Sequence, residues 1–265
     1  MKKVYRKSVC IAASAMLFLS GASLPVHAGL IALYQFDDSS NLGKDTSGNN
    51  HDATDHGATF TSSGYQNGAA YFDGASYLRA VIDANPSVMP KMTWGAWVKF
   101  DVGGTTPTRQ VLSTDNGGFD RSLGIDSRGG GGTSLSAFTG TGVVASGVAP
   151  STSQWTFIAA TYDQSINSMT LYVNGQSSTV TTSFGSSQTF FDIGHNPQFG
   201  EFFNGEIDNV FVYDQALTAG QIATIQSNGI APASAVPEPS SFALMGLGGL
   251  GLAIRAIQRR RATVV

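Results

Sequence analysis

The sequence predicts an all-β fold, two antiparallel sheets packed as a single sandwich, and three observations carry that prediction. Between Gly29 and about Asn228 the chain is made of short apolar or alternating runs parted by Gly, Asn, Asp and Ser, with little helical periodicity. Two dipeptides that tolerate positive φ, Asp73-Gly74 and Asn174-Gly175, each stand between strand-like runs and read as tight hairpin turns. No segment repeats with a constant period of about 20 to 50 residues, which sets aside propellers and solenoids.

At the amino end, Lys2, Lys3, Arg6 and Lys7 precede an apolar stretch from Val9 to Leu19, and the small-residue site Val26-His27-Ala28 follows. That order is the build of a secretory signal peptide, so residues 1–28 are expected to be removed between Ala28 and Gly29. The single cysteine, Cys10, falls in this segment, which leaves the mature chain without disulfide or thiol chemistry. Some 200 residues, 29–229, then suffice for one domain held by its own core.

Charge narrows the partners. Of 15 basic residues, eight lie at the two ends (Lys2, Lys3, Arg6, Lys7, Arg255, Arg259, Arg260 and Arg261), whereas of 18 acidic residues only Glu238 does. Seven basic groups therefore face seventeen acidic ones in the middle, a net charge of −10. Such a domain repels nucleic acid and anionic membrane surfaces, leaving neutral glycans, cations and other proteins.

Within the domain, "MTWGAWVKF" alternates with Met92, Trp94, Ala96 and Val98 on one face and Thr93, Gly95, Trp97 and Lys99 on the other. "QWTFIAATYD" predicts a second such strand, and "MTLYVNGQSSTV" a hairpin. "TDNGGFDRS" and "DSRGGGGTS" read as longer loops. One helix is expected in "LTAGQIATIQSNG", where Thr218 caps the start, Gln221 completes a capping box and Gly229 ends it.

Taken in order, "FDGASYL", "MTWGAWVKF", "QWTFIAATYD", "LYVNGQ" and "GEIDNVFVYDQALTAGQI" resemble the successive signature strands of laminin-G-like, concanavalin A-like jelly-roll domains of bacterial surface proteins. The resemblance spans nearly the whole mature domain. It implies two stacked antiparallel sheets, often a structural calcium ion, and a mostly non-catalytic role in binding glycans or proteins.

Strict alternation in "EIDNVFVYD" places Asp208 on the face of Val210 and Val212. On the core side an unpaired carboxylate is costly and needs a cation, an arginine or several donors, and with only seven basic residues in the domain a metal ion is an attractive answer. The other half of the site is expected in "KDTSGNNHD", which resembles the family's calcium loop: Asp45 and carbonyls around Asn50 and His51 offer hard oxygen ligands. It is not an EF-hand, because the glycine comes at the fourth position from Asp45 and no glutamate closes a twelve-residue loop. The alternative is an Asx turn with solvated side chains.

"GEIDNVF" also resembles the nucleophile strand of laminarinase-like glycoside hydrolases. Retaining hydrolysis needs a second carboxyl group about 5 Å away, and the residues after Asp208 in that strand are apolar at the required positions, Val210 and Phe211. Only an approach of Glu201 to Glu206 keeps this reading open, and no catalytic residue is assigned. "HDATDH", with His51 and His56, reads as a turn rather than a zinc site, and no Gly-x-Ser-x-Gly elbow accompanies any histidine. Phe199, Phe202 and Phe203 in the loop "NPQFGEFF" are expected to plug the core or its edge, the alternative being exposed rings that stack on sugars, and no sugar-contacting residue is named.

At the carboxyl end, residues 230–236 read as a linker and Ser240 to Gln258 as a single transmembrane helix of about 28 Å, followed by Arg259, Arg260 and Arg261 on the cytoplasmic side. "VPEPSS", the glycine-rich apolar run and "RRR" together resemble the PEP-CTERM sorting signal of Gram-negative bacteria, here residues 237–261. The resemblance implies that Pro237, Glu238 and Pro239 are recognised by an exosortase and that the protein serves exopolysaccharide, biofilm or cell-surface assembly. The sequence thus predicts an exported, calcium-stabilised, non-catalytic binder of extracellular glycan or surface protein. Its rivals are a glycoside hydrolase on the same fold and a structural matrix protein without a specific ligand.

Overall fold

The computed structural model describes residues 29–101, 108–129 and 132–230. The signal segment, the linker beyond Ile230, the sorting motif and the run 240–258 lie outside the described residues, among which no helix is long and apolar enough to cross a membrane.

Fifteen strands, one α-helix and a short 3-10 turn (Ser127–Gly129) are described. The first eight strands are β1 (Leu30–Tyr34), β2 (Thr54–His56), β3 (Thr59–Thr61), β4 (Ala69–Asp73), β5 (Tyr77–Ala80), β6 (Lys91–Phe100), β7 (Arg109–Ser113) and β8 (Ser122–Ile125). The rest are β9 (Leu135–Phe138), β10 (Val143–Ala145), β11 (Thr156–Asp163), β12 (Ser168–Val173), β13 (Gln176–Thr181), β14 (Phe191–Ile193) and β15 (Asn204–Tyr213), followed by α1 (Ala219–Asn228). One sheet runs β13-β12-β11-β6-β15-β4-β3 with β1 also on β15, the other β10-β9-β8-β7-β14-β5-β2, and all pairings are antiparallel. The expected two-sheet sandwich is what forms.

Alternation in β6 explains the layering. Met92, Trp94, Ala96 and Val98 enter the main core between the sheets, together with Leu78, Leu123, Ile158, Ile193 and Val212. The opposite face is apolar too: Trp97 joins Leu33, Phe157, Phe211, Tyr213 and, from the helix, Ile222 and Ile225 in a second core outside the larger sheet. The short helix covers that patch, held at its start by the reciprocal Thr218–Gln221 capping box and stopped at Gly229, as the sequence indicated.

Asn174-Gly175 turns between β12 and β13 with φ of 46° and 82°, a tight two-residue hairpin. Asp73-Gly74 departs from expectation. It lies between strands of different sheets, so it is a corner and not a hairpin. The Asp73 carboxylate accepts the amides of Ala75 and Ser76 at 3.0 and 2.9 Å, and this side-chain turn redirects the chain across the sandwich.

A second departure decides the site. In β15, Asp208 pairs with Trp97 and Phe211 with Gly95, so Asn209 and Val210 together oppose Ala96. Asn209 has φ 50°, and the extra residue makes a bulge that reverses the alternation. Asp208 therefore shares the Trp97 side, not the core side of Val210 and Val212 as strict alternation had placed it. It is nonetheless fully buried.

Candidate functional site

The bulge lies where β15 changes neighbours. Residues 204–207 pair with β4 and residues 210–213 with β1, leaving Asp208 at the gap between the two strands. The loop after β3 fills that gap: the Gln66 amide donates to Asp208 Oδ2 at 2.9 Å, and Tyr65 stacks on Trp97 with ring centroids 3.6 Å apart. Asp208 Oδ1 and Asn209 Oδ1 are buried with no partner among the described residues. Burial, reinforced by the nearby charge of Asp37, pushes the Asp208 carboxyl up to about 7 despite the amide donors.

Asp37 is itself positioned by the Gly68 amide at 3.0 Å and Asn67 Nδ2 at 3.2 Å. It lines an open polar groove of about 370 Å³ with Gln35, Asp38, Asn41, Lys44 and Thr46. Asp208 Oδ1, buried without a partner among the described residues and within reach of the Asp37 charge, offers the carboxylate chemistry that suits a hard cation.

The other three expected ligands do not join this locus. Asp45 Oδ1 accepts the amides of Leu33 and Ser47 at 3.0 and 2.8 Å, and Oδ2 accepts Ser47 Oγ and the His51 amide at 2.8 and 3.0 Å. Its carboxylate is thus engaged by four protein donors and does not fit a metal shell with Asp208. Asn50 is exposed at φ 62°, and His51 Nδ1 lies 3.1 Å from the Val81 carbonyl. Among the described residues, no group of three or more His, Cys, Asp and Glu side chains is arranged around a metal position. The 45–51 loop closes the free edge of β1, with Asp45 and Ser47 buried, so the side chains of this turn are not all solvated.

Glu201 and Glu206, whose approach kept the hydrolase reading open, take separate partners. Glu206 forms an ion pair with Lys99 on the larger sheet, whereas Glu201 is bound on the other side of the sandwich end by Asn196 Nδ2 at 2.8 Å, Gln110 Nε2 at 3.4 Å and Arg128 at 3.2 Å. His51 and His56 also take separate partners, His56 stacking on Tyr77 at 4.3 Å.

A second locus was not foreseen. Three loops, 114–121, 126–129 and 194–203, meet at one end of the smaller sheet around a notch of about 90 Å³ lined by Asp115, Gly117, Phe119, Arg128, Phe138 and Phe199. Arg128 holds Asp126 with two contacts of 2.9 Å from Nε and reaches Glu201, while Asn196 Nδ2 bridges Asp115 at 3.0 Å and Glu201. The Arg128 guanidinium also lies 5.2 Å from the Phe119 ring and 5.7 Å from Phe138. Burial raises the Glu201 carboxyl, and burial beside Asp115 raises Asp120 to about 6.

Phe119 has φ 55°, a left-handed conformation that a bulky side chain adopts only against strain, and the strain turns its ring into the notch beside Phe138. The three phenylalanines of "NPQFGEFF" have divided. Phe203 packs in the core against Phe100 and Phe72, Phe202 stacks on His195 at 4.3 Å, and Phe199 stands 55 % exposed at the notch. The glycines of "TDNGGFDRS" were the available signal for this loop, but glycine alone cannot say which neighbour is forced into strain.

Comparison with known proteins agrees with this architecture. A family model described as the concanavalin A-like lectin/glucanases superfamily matches residues 72–223, and one described as the PEP-CTERM protein-sorting motif matches residues 235–261. No curated protein matches the chain. Among solved structures, domain 4 of AbnA, a GH43 extracellular arabinanase from Geobacillus stearothermophilus determined in complex with arabinotriose, is 22% identical. The match covers 74% of this chain and 97% of that domain, with a TM-score of 0.57. The binding domain of Paraclostridial Mosquitocidal Protein 1 is 15% identical over 76% of this chain and 52% of its own, with a TM-score of 0.59. The binding domain of botulinum neurotoxin serotype D is 12% identical over 75% of this chain and 51% of its own, with a TM-score of 0.55. The chain spans about half of each toxin binding domain, and these likenesses show the fold.

Proposed function

The chain belongs to the concanavalin A-like lectin/glucanases superfamily and carries a PEP-CTERM protein-sorting motif, and on that premise we propose that it is an exported, non-catalytic module that binds extracellular glycan at the notch around Phe119. The observation that carries this reading is the strained Phe119 ring, held in the notch beside Phe138 and the exposed Phe199 and flanked by Asp115 and Arg128. Aromatic faces stack on the apolar faces of sugars, and planar carboxylate and guanidinium groups order the hydroxyls around the ring. The arabinotriose of the arabinanase domain shows that a sandwich of this fold takes an oligosaccharide. On this reading an exosortase processes the exported chain near Pro237-Glu238-Pro239 and leaves the domain at the outer surface of a Gram-negative cell, in exopolysaccharide or biofilm.

A structural calcium ion belongs to the same proposal, held by Asp208 and Asp37 at the junction of β1, β4 and β15. When bound it neutralises the buried carboxylate; the chain's own part is to align Asp208 through the Gln66 amide and shield it beneath the Tyr65–Trp97 stack.

Purified protein on a glycan array, followed by affinity electrophoresis in the polysaccharides that score, tests the binding. Retention that Phe119→Ala and Phe199→Ala weaken is the expected result. Release of reducing sugar, abolished by Glu206→Gln, overturns it in favour of a hydrolase. Retention on no polysaccharide favours a structural matrix protein.

A further inference from the structure

Four strands end the two sheet paths, and three of them, β2, β3 and β10, are three residues long. The fourth, β13, has six residues. Short edges resist adding a foreign strand, whereas a long one offers a row of unpaired amides and carbonyls. Strand β1 also has a free side, and the protein closes it: Thr46 N, Thr46 Oγ1, Ser47 Oγ and Asn49 Nδ2 donate to its carbonyls, and Asp45 takes its Leu33 amide. Nothing comparable covers β13 among the described residues.

Hairpin geometry says which groups are open. Val173 and Gln176 close the two-residue turn, and beyond the strand Thr182 N donates to the Asn167 carbonyl at 2.8 Å. The hydrogen-bonded pairs therefore involve Gln176, Ser178 and Val180, and the main-chain groups of Ser177, Thr179 and Thr181 point away from the sheet. The strand runs without a bulge, a proline or a charge, so it lacks each of the usual devices that keep edges apart.

Charge then selects the occupant. From Thr156 to Thr182 the one ionisable acid or base is Asp163, and Lys91 neutralises it at 2.8 Å. The β11–β13 wing is thus electrically neutral within a domain whose seven basic and seventeen acidic groups make two copies repel elsewhere. Antiparallel pairing of β13 with itself about Thr179 sets Thr179 opposite Thr179 and Ser177 opposite Thr181, exposed hydroxyl side chains with no like charges across the seam. We propose that β13 is a self-association edge, through which two copies of this chain join their larger sheets into one continuous antiparallel sheet. The notch is at the loop ends of the other sheet, so a dimer presents two glycan sites at once and gains avidity on a polymer; the pairing itself does not depend on the glycan reading.

Analytical ultracentrifugation of the full chain in mild detergent, over a concentration series, tests this with two variants at exposed positions. The expected mass rises towards twice that of the protomer for the wild type. Ser177→Lys with Thr181→Lys sets lysine opposite lysine in the paired strands and weakens association about tenfold or more. Ser177→Lys with Thr181→Glu sets lysine opposite glutamate and restores it. A wild type that stays monomeric, association unchanged in the double-lysine variant, or failure of the Lys/Glu variant to recover each overturns the proposal. So does a monomer that takes up unrelated extended peptides in place of its own copy.

Discussion

Gln66 and Asp208, 142 positions apart in the chain, are joined by a hydrogen bond of 2.9 Å from the Gln66 amide to Asp208 Oδ2. The contact seals the gap left where β15 exchanges β4 for β1, and it leaves the other Asp208 oxygen buried with no partner among the described residues.

That geometry predicts a calcium effect with a definite pH dependence. Without a cation, Asp208 holds its proton up to about 7, whereas an unfolded aspartate releases it near 4. The folded state binds the extra proton in that window, so in chelator the contribution of Asp208 to stability is fully present below about pH 4 and is lost as pH rises through about 7. Calcium removes the decline and raises the unfolding midpoint by several degrees at pH 8, and Asp208→Asn removes the calcium response. Thermal unfolding with calcium and with chelator, at pH 5 and pH 8, measures both. Equal midpoints at pH 8 would remove the cation from the reading.

The bulge predicts an asymmetry at Asn209. Its φ of 50° suits Asn and Gly and penalises other side chains, so Asn209→Ala costs about 1 to 2 kcal/mol and Asn209→Gly much less. Urea denaturation of the two variants at matched slope decides it; equal losses would mean that the backbone conformation is not what holds the residue.

Strand β6 predicts a packing limit at Gly95. A Cβ there would lie 2.5 Å from Phe211 Cζ and 2.7 Å from both Ala159 Cβ and the Ile158 carbonyl oxygen. Gly95→Ala therefore overpacks the second core and costs about 1 to 3 kcal/mol, read as a lower urea midpoint. An unchanged midpoint would show that the helix and Phe211 shift at little cost.

Phe119 predicts a separation of binding from stability. Asparagine tolerates the left-handed conformation at φ 55°, so Phe119→Asn leaves the unfolding midpoint unchanged or higher while glycan retention falls about tenfold. Calorimetry beside affinity electrophoresis reads the two quantities. A variant that keeps full retention moves the glycan site away from the notch.

Much of the architecture was legible because it rests on local rules. The two faces of "MTWGAWVKF", the Asn174-Gly175 hairpin and the Thr218–Gln221 capping box depend on residues within a few positions of one another. The sites were less legible. One inserted residue, Asn209, sends Asp208 to the opposite face, and a side-chain turn at Asp73 makes a corner where the dipeptide suggested a hairpin.

By itself the sequence determined the sandwich class, the sorting motif, the acidity of the domain and the chemical need of a buried Asp208 for a partner. The tertiary structure alone decided that the Gln66 amide meets Asp208 and that Asp45 closes the edge of β1. It also brought Asp115, Phe119, Arg128, Phe199 and Glu201 from three loops to one end of the sandwich. The reason is physical. Alternation and turn propensity act over a few residues and can be read along the chain, whereas a site depends on strand order, register and bulges, which set distances between residues far apart in sequence.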